Sequence, residues 1–178
     1  MSPTQKTIIA GSSVLAVTLA LLAPGCASGP QPPTRGTVIP WNLKITKNTP
    51  ASIELDLIGV SKSEDDYWRN NVKMDEYWKP GSPIRQAVID GKRSVSATFD
   101  QSKTFYLDRT NAIWKTWFSY GSYELAIMAN LPGKYAPGPS DPRRLFLLLG
   151  KNEWDAKKRT LEVEILEGQI RVLTPQKP

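Results

Sequence analysis

Apolar and polar residues alternate with a period of two in one run after another of this chain, a pattern that suits half-buried strands and not amphipathic helices. Ile53, Leu55 and Leu57 alternate with Ser52, Glu54 and Asp56, and Val95, Ala97 and Phe99 alternate with polar neighbours. Leu161, Val163 and Ile165 alternate with Glu162 and Glu164, and after Glu167-Gly168-Gln169 the chain resumes at Ile170, Val172 and Leu173, which predicts a hairpin. Trp41 to Ile45 forms an earlier run, parted from Ile53–Leu57 by Asn48-Thr49-Pro50, so these two read as a hairpin or as successive paired strands. Val88-Ile89 reads as a strand ending at the turn pair Asp90-Gly91, and Phe105 with Leu107 as another short strand. Tyr123 to Leu131, nearly continuously apolar from Leu125 to Ala129, predicts a central strand covered on both faces, and Arg144 to Leu149 predicts one more. Seven to nine short strands at these spacings imply an all-β fold, an antiparallel two-sheet sandwich with one or two short helices inserted.

Two segments break the rhythm. In Val60 to Pro83, Ser61 and Ser63 are candidate N-caps and Glu64-Asp65-Asp66 an acidic first turn, so a short helix begins there with its acids at the positive end. Tyr67-Trp68 follows, then Glu76-Tyr77-Trp78, closed by Lys79-Pro80-Gly81; four large rings gather in one excursion from the sheet. In Asp108 to Phe118, Ile113 with Trp117 and Trp114 with Phe118 are each spaced by four, which places them on one side of a helix that Gly121 would end. Trp114, Trp117 and Phe118 are read as core.

The 178 residues contain no histidine and one cysteine. Histidine is the usual proton carrier at neutral pH, and most zinc sites need it or several cysteines. No nucleophile elbow, phosphate-binding glycine loop or calcium loop is present, so the chain is read as a non-enzyme with no catalytic residues, no metal ligands and no cofactor. The formal charge is +6 with the cations scattered; Lys157-Lys158-Arg159, the densest cluster, is explained by a turn between strands. No nucleic-acid motif accompanies the charge, and attraction to anionic headgroups or an acidic partner fits it better.

The lone cysteine is Cys26. Before it come Lys6, an uncharged stretch from Thr7 to Leu22, and Pro24-Gly25, the layout of a secretory signal peptide over residues 1–25. The stretch is short of the roughly twenty residues a spanning helix needs. This segment resembles a bacterial lipoprotein signal, with Cys26 as the acylated residue, although Ala23 stands three positions before it where such signals usually carry Leu. An ordinary cleaved signal or an uncleaved anchor are the alternatives. Because Ala27 and not Asp follows Cys26, the resemblance implies an outer-membrane location facing the periplasm. Residues 26–36, rich in Pro and Gly, read as a flexible tether that at about 3.1 Å per residue holds a domain on the order of 30 to 45 Å from the bilayer. Residues 37–178 then form a single sandwich domain.

The order of parts resembles the outer-membrane lipoproteins of type VI secretion systems. Cys26, the strand Ile53–Leu57, the aromatic excursion directly after it, the strand Tyr123–Ala129, Trp154 and the closing hairpin Leu161–Leu173 carry the resemblance. It implies a transthyretin-like sandwich, anchored to the membrane through lipid on Cys26, that ties a large periplasm-spanning membrane protein of the secretion complex to the outer membrane. The regions with a counterpart are the Val60–Pro83 excursion and the Lys134–Pro142 loop, both candidate contact surfaces. Aromatic residues dominate binding hot spots, which makes Tyr67, Trp68, Tyr77 and Trp78 the candidate anchors, with packing against the sandwich as the competing role for the same rings. Glu64, Asp65 and Asp66 read as a solvated helix start, and Arg143-Arg144 as cations guarding a strand edge. An envelope lipoprotein that binds a saccharide or another protein through exposed rings is the alternative function, and a carboxylate-dependent hydrolase a further one.

Overall fold

The computed structural model describes residues 37–178; Cys26, the signal 1–25 and the tether 26–36 lie outside the described residues. Eight strands are described: β1 Asn42–Lys47, β2 Ile53–Ser61, β3 Ser94–Phe99, β4 Thr104–Leu107, β5 Ser122–Ala129, β6 Arg144–Leu148, β7 Thr160–Ile165 and β8 Ile170–Val172. They form two four-stranded sheets in the orders β4-β1-β7-β8 and β3-β2-β5-β6. The sandwich expected from the alternation is present, with antiparallel pairing everywhere among these strands except β1 against β7, which run parallel from Asn42↔Thr160 to Lys47↔Ile165. Leu43, Ile45, Leu161, Val163 and Ile165 from one sheet meet Ile53, Leu55, Leu57, Leu125 and Ile127 from the other in one buried core.

The expected β1–β2 hairpin does not form. Residues 48–52 carry the chain from one sheet to the other, so β1 and β2 face each other across the core instead of sharing hydrogen bonds. Alternation cannot distinguish the two outcomes, because both strands bury their odd-numbered residues either way. Lys47 closes this end of the core: its buried Nζ donates to the carbonyls of Ala51 at 2.9 Å, Phe99 at 3.1 Å and Asp100 at 3.2 Å.

A second correction concerns Val88-Ile89, which lies in helix and not strand. After a π-helical turn at Tyr67–Asn71, helix α1 spans Met74–Tyr77 and helix α2 spans Pro83–Asp90. The Ser82 hydroxyl accepts the Arg85 N–H at 3.4 Å, Pro83 supplies a preset first helical residue, and Gln86 donates to Asp90 four residues on at 2.7 Å. Helix α3, Ile113–Ser119, is the one foreseen from the spacing by four; Trp114 and Trp117 are buried in the main core, and Gly121 follows with φ +74. Lys157–Arg159 form a short 3-10 turn leading into β7, and β7 and β8 make the foreseen hairpin.

The excursion between β2 and β3 lies over the outer face of the second sheet. Ile58, Val60, Ala126 and Met128, which point away from the main core, pack there with Trp68, Val72, Met74, Tyr77, Trp78 and Val88. Strand β5 is therefore buried on both faces, as its unbroken apolar run requires. No helix among the described residues is long and apolar enough to cross a membrane.

Candidate functional site

The excursion is held to the sheet by aromatic rings and by buried charge. Tyr67, Trp68, Tyr77 and Trp78 form one edge-to-face series, with centroid separations of 5.6, 6.3 and 5.1 Å along the chain of rings. Three of these candidate anchors are interior: Trp68, Tyr77 and Trp78 are buried, and only Tyr67, at 42% exposure, offers its ring to a partner. The rings alternate with Val72 and Met74 on the side that meets the sheet, and this packing takes up the surface a partner would need.

Beneath them lies Asp56, fully buried on the outer face of β2. Its carboxylate accepts from the Tyr77 hydroxyl at 2.9 Å, Arg85 Nε at 2.8 Å and the Ser96 hydroxyl at 2.5 Å. Burial, followed by the neighbouring Asp56 charge, pushes the Tyr77 phenol far above its usual value, so it serves as a fixed donor. Arg85 also pairs with Glu54 at 2.8 Å and stacks 4.4 Å from the Trp78 ring centroid. Burial opposes its charge, but the bonds to Asp56 and Glu54 outweigh that and keep it protonated. A second buried acid, Glu124 on β5, is bound by Arg69 from the π-helical turn, whose guanidinium also reaches Asp65 and lies 4.1 Å from the Phe146 centroid. Glu64 and Asp65 are thus half-buried and paired rather than freely solvated, Glu64 accepting from the Ser61 N–H and hydroxyl and pairing with Arg93 at 2.7 Å, while Asp66 is exposed and accepts from Asn70. Ser61 ends β2 and the helical turn starts without a side-chain cap, because Glu64 reaches back to Ser61 in place of the expected serine cap.

Arg143 and Arg144 are not the exposed edge cations the sequence suggests. Both are buried, and together they join the two candidate contact regions. Arg143 forms a two-pronged pair with Asp141 at 3.0 and 2.7 Å, and reaches Asp75 of α1 at 2.5 Å. Arg144 donates to the carbonyls of Trp68 at 2.8 Å and Val72 at 3.0 Å, and to that of Gly138 in the loop. Charge repulsion at an edge is one use of arginine; satisfying several buried carbonyls from one planar donor fork is another, and only a cover over β6 makes the second possible. Residues 66–76 and 134–142 therefore make one continuous surface beside β6.

Next to Tyr67, a recess of about 180 Å³ is lined by Trp68, Ile84, Ala87, Val88 and Arg93. Trp68 Nε1 and Arg93 Nε, like Trp78 Nε1, are buried and meet no acceptor among the described residues. The main core treats its tryptophans differently: Trp41, Trp114, Trp117 and Trp154 each donate to a backbone carbonyl, at 2.7 to 3.2 Å. Among the described residues no group of three or more His, Cys, Asp or Glu is placed to hold a metal ion.

No family model matches the chain, and no curated protein does. Among solved structures it is similar to a type VI membrane complex at 10% identity and TM-score 0.48, the likeness covering 77% of this chain and 99% of that one. It is also similar to the type VI lipoprotein TssJ1 from Pseudomonas aeruginosa, at 13% identity and TM-score 0.44 over 78% of this chain and 99% of that one. The membrane-bound type VI secretion component Lip from Serratia marcescens is a third, at 9% identity and TM-score 0.43 over 75% and 98%. Identities this low assign no function by themselves.

Proposed function

We propose that this chain is a lipid-anchored, non-enzymatic subunit of a type VI secretion membrane complex that ties a large envelope-spanning subunit to the outer membrane. The lipoprotein-like signal ending at Cys26 supports the anchor, and the proline-rich residues 27–36 supply the reach. The observation that carries the partner role is the surface beside β6, where the excursion and the 134–142 loop are joined by Arg143 and Arg144. A surface fastened through buried arginines is preorganised, and preorganisation lowers the entropy lost on binding.

Tyr67 is the exposed anchor of that interface, and Trp68, Tyr77 and Trp78 support it from beneath. A partner group with a hydrogen-bond acceptor, seated in the recess beside Tyr67, would satisfy Trp68 Nε1 and Arg93 Nε, which meet no acceptor among the described residues. The test is purification of the protein from detergent-solubilised envelopes with identification of what accompanies it. The expected companion is a large secretion-system membrane subunit, lost at least about tenfold in Tyr67→Ala, as befits a central aromatic contact, with the melting curve unchanged. Purification without such a subunit, or a Tyr67→Ala protein that retains it in full, ends this reading.

One observation favours saccharide binding instead. Tyr106, 54% exposed, stands over a groove of about 520 Å³ whose walls include Lys44, Thr160, Glu162 and Leu173 on the outer face of the first sheet. Quenching of Tyr106 fluorescence is masked by six tryptophans, so the discriminating measurement is calorimetric titration with glycan fragments, wild type against Tyr106→Ala.

A further inference from the structure

The described chain begins at one pole of the sandwich, and the register shows which segments share that pole. Val38 bridges Gly150, and Lys151 N–H donates to the Thr37 carbonyl at 2.9 Å. Asn42, at the start of β1, pairs with Thr160 at the start of β7 and accepts the Arg109 N–H at 3.0 Å just beyond the end of β4. The last residues return to the same place, with Lys177 N–H donating to the Glu153 carbonyl at 3.0 Å. The connections 108–121 and 149–159 and the segment 173–178 therefore cluster around Thr37.

Exposed cations are concentrated in these segments. Among the described residues, Arg109, Lys115, Lys151, Lys157, Arg159 and Lys177 are exposed there, against exposed Asp108 and Asp155 and half-buried Glu153. At the opposite pole, formed by residues 48–52, 100–103, 130–143 and 166–169, the exposed charges balance: Lys103 and Lys134 against Asp100 and Glu167. The proximal pole also has an apolar element. Arg109 and Lys115 rim an open trough of about 500 Å³ with Pro40, Trp114 and Phe118 on its floor. Long cationic side chains flanking a partly apolar floor match the chemistry of a headgroup layer, where the charge meets phosphate and the stem and rings meet glycerol and the first methylenes.

We propose that this pole is a membrane-facing surface that binds a bilayer containing anionic phospholipid. It rests on the anchored reading for its orientation, because a tether leading to Thr37 brings this pole to the bilayer first. The 134–142 loop, between the end of β5 and the start of β6 at the opposite pole, is then directed away from the membrane.

The test uses the full chain carrying Cys26→Ser, which removes acyl attachment, in flotation with phosphatidylcholine vesicles made with and without phosphatidylglycerol. The apolar stretch 7–22 and Lys6 are common to every variant below, so the change on substitution reports the pole. The expected result is preferential binding to the anionic vesicles that fades as salt rises from about 0.1 to about 1 M, where the screening length falls from about 10 to about 3 Å. Reversal of four charges, Arg109→Glu with Lys115→Glu, Lys151→Glu and Lys177→Glu, should weaken that binding at least about tenfold. A milder set, Lys115→Gln with Lys151→Gln and Lys177→Gln, guards against misfolding and should weaken it in the same direction. Lys103→Glu with Lys134→Glu at the far pole should change it less than about twofold. Equal binding to both vesicle types, as an acidic protein occupant would leave it, or an equal loss from the far-pole pair, overturns the proposal. Labelling of the wild-type chain with a palmitate analogue keeps the two readings separable. An unlabelled chain that still prefers anionic vesicles sinks the anchor alone, and a labelled chain with no preference sinks this surface alone.

Discussion

The outer face of β3-β2-β5-β6 is roofed by the helical excursion, whereas the outer face of β4-β1-β7-β8 meets water, and charged residues have opposite roles on the two. Under the roof, Asp56 and Glu124 are bound by arginines and would be costly to leave alone. On the open face, Lys44 and Glu162 lie 3.2 Å apart with nearly half of each side chain exposed, and a pair of that kind contributes little. A charge in a strand is therefore structural or decorative according to what covers the sheet, which is a property of distant residues.

The contrast breaks most sharply at Asp56. Replacing it by Ala strands the buried Tyr77 hydroxyl and takes from the partly buried Arg85 its inner partner, leaving only Glu54, and the expected loss is about 3 kcal/mol by denaturant unfolding. A loss below 1 kcal/mol, of about the size expected on the open face, would erase the distinction. Acid titration sharpens it at the edge of the roof. Burial alone would raise the Glu64 carboxyl, but the bonds from Ser61 and Arg93 prevail and hold it below its ordinary value of 4.5. A carboxyl lowered on folding adds stability that is complete above about pH 4.5 and fades as pH falls through the folded value. Glu64→Gln should accordingly flatten that part of the stability profile, measured as midpoint against pH, and leave the profile on the basic side unaltered in shape. Lys44→Ala, on the wet face, should shift stability by no more than about 0.5 kcal/mol.

Much of the sandwich could be read from alternation, and the reasons for the failures are specific. The turn from β1 to β2 was misjudged because an inward-facing period of two is the same in a hairpin and in a chain that crosses between sheets. Helix α2 is masked because Val88-Ile89 reads as a strand, although Ser82-Pro83 is a capping pair with a preset first helical residue. The site was less legible. Asp56 appears as the wet member of an alternating run, yet Ile58 and Val60 on the same face turn that face apolar two residues later, and this change was the available sign of a second cover. The aromatic excursion is legible, but its residue types leave outward contact and packing against the sandwich both open, and three of the four rings hold the roof down. Asp141 lies close in sequence to Arg143, but nothing local marks either arginine as buried, since the cover over them comes from Asp75 and the Trp68 and Val72 carbonyls far back in the chain.

The parallel pairing of β1 with β7 has a consequence for how the molecule is made. Lys44 meets Glu162 across 118 positions, and encounters between residues so distant in sequence form slowly. Until residues 160–165 are synthesised, β1 has only β4 beside it, a two-stranded ribbon of marginal stability. A polypeptide with that wiring stays pliable until it is nearly finished, and its first strand waits on almost the last one for a neighbour.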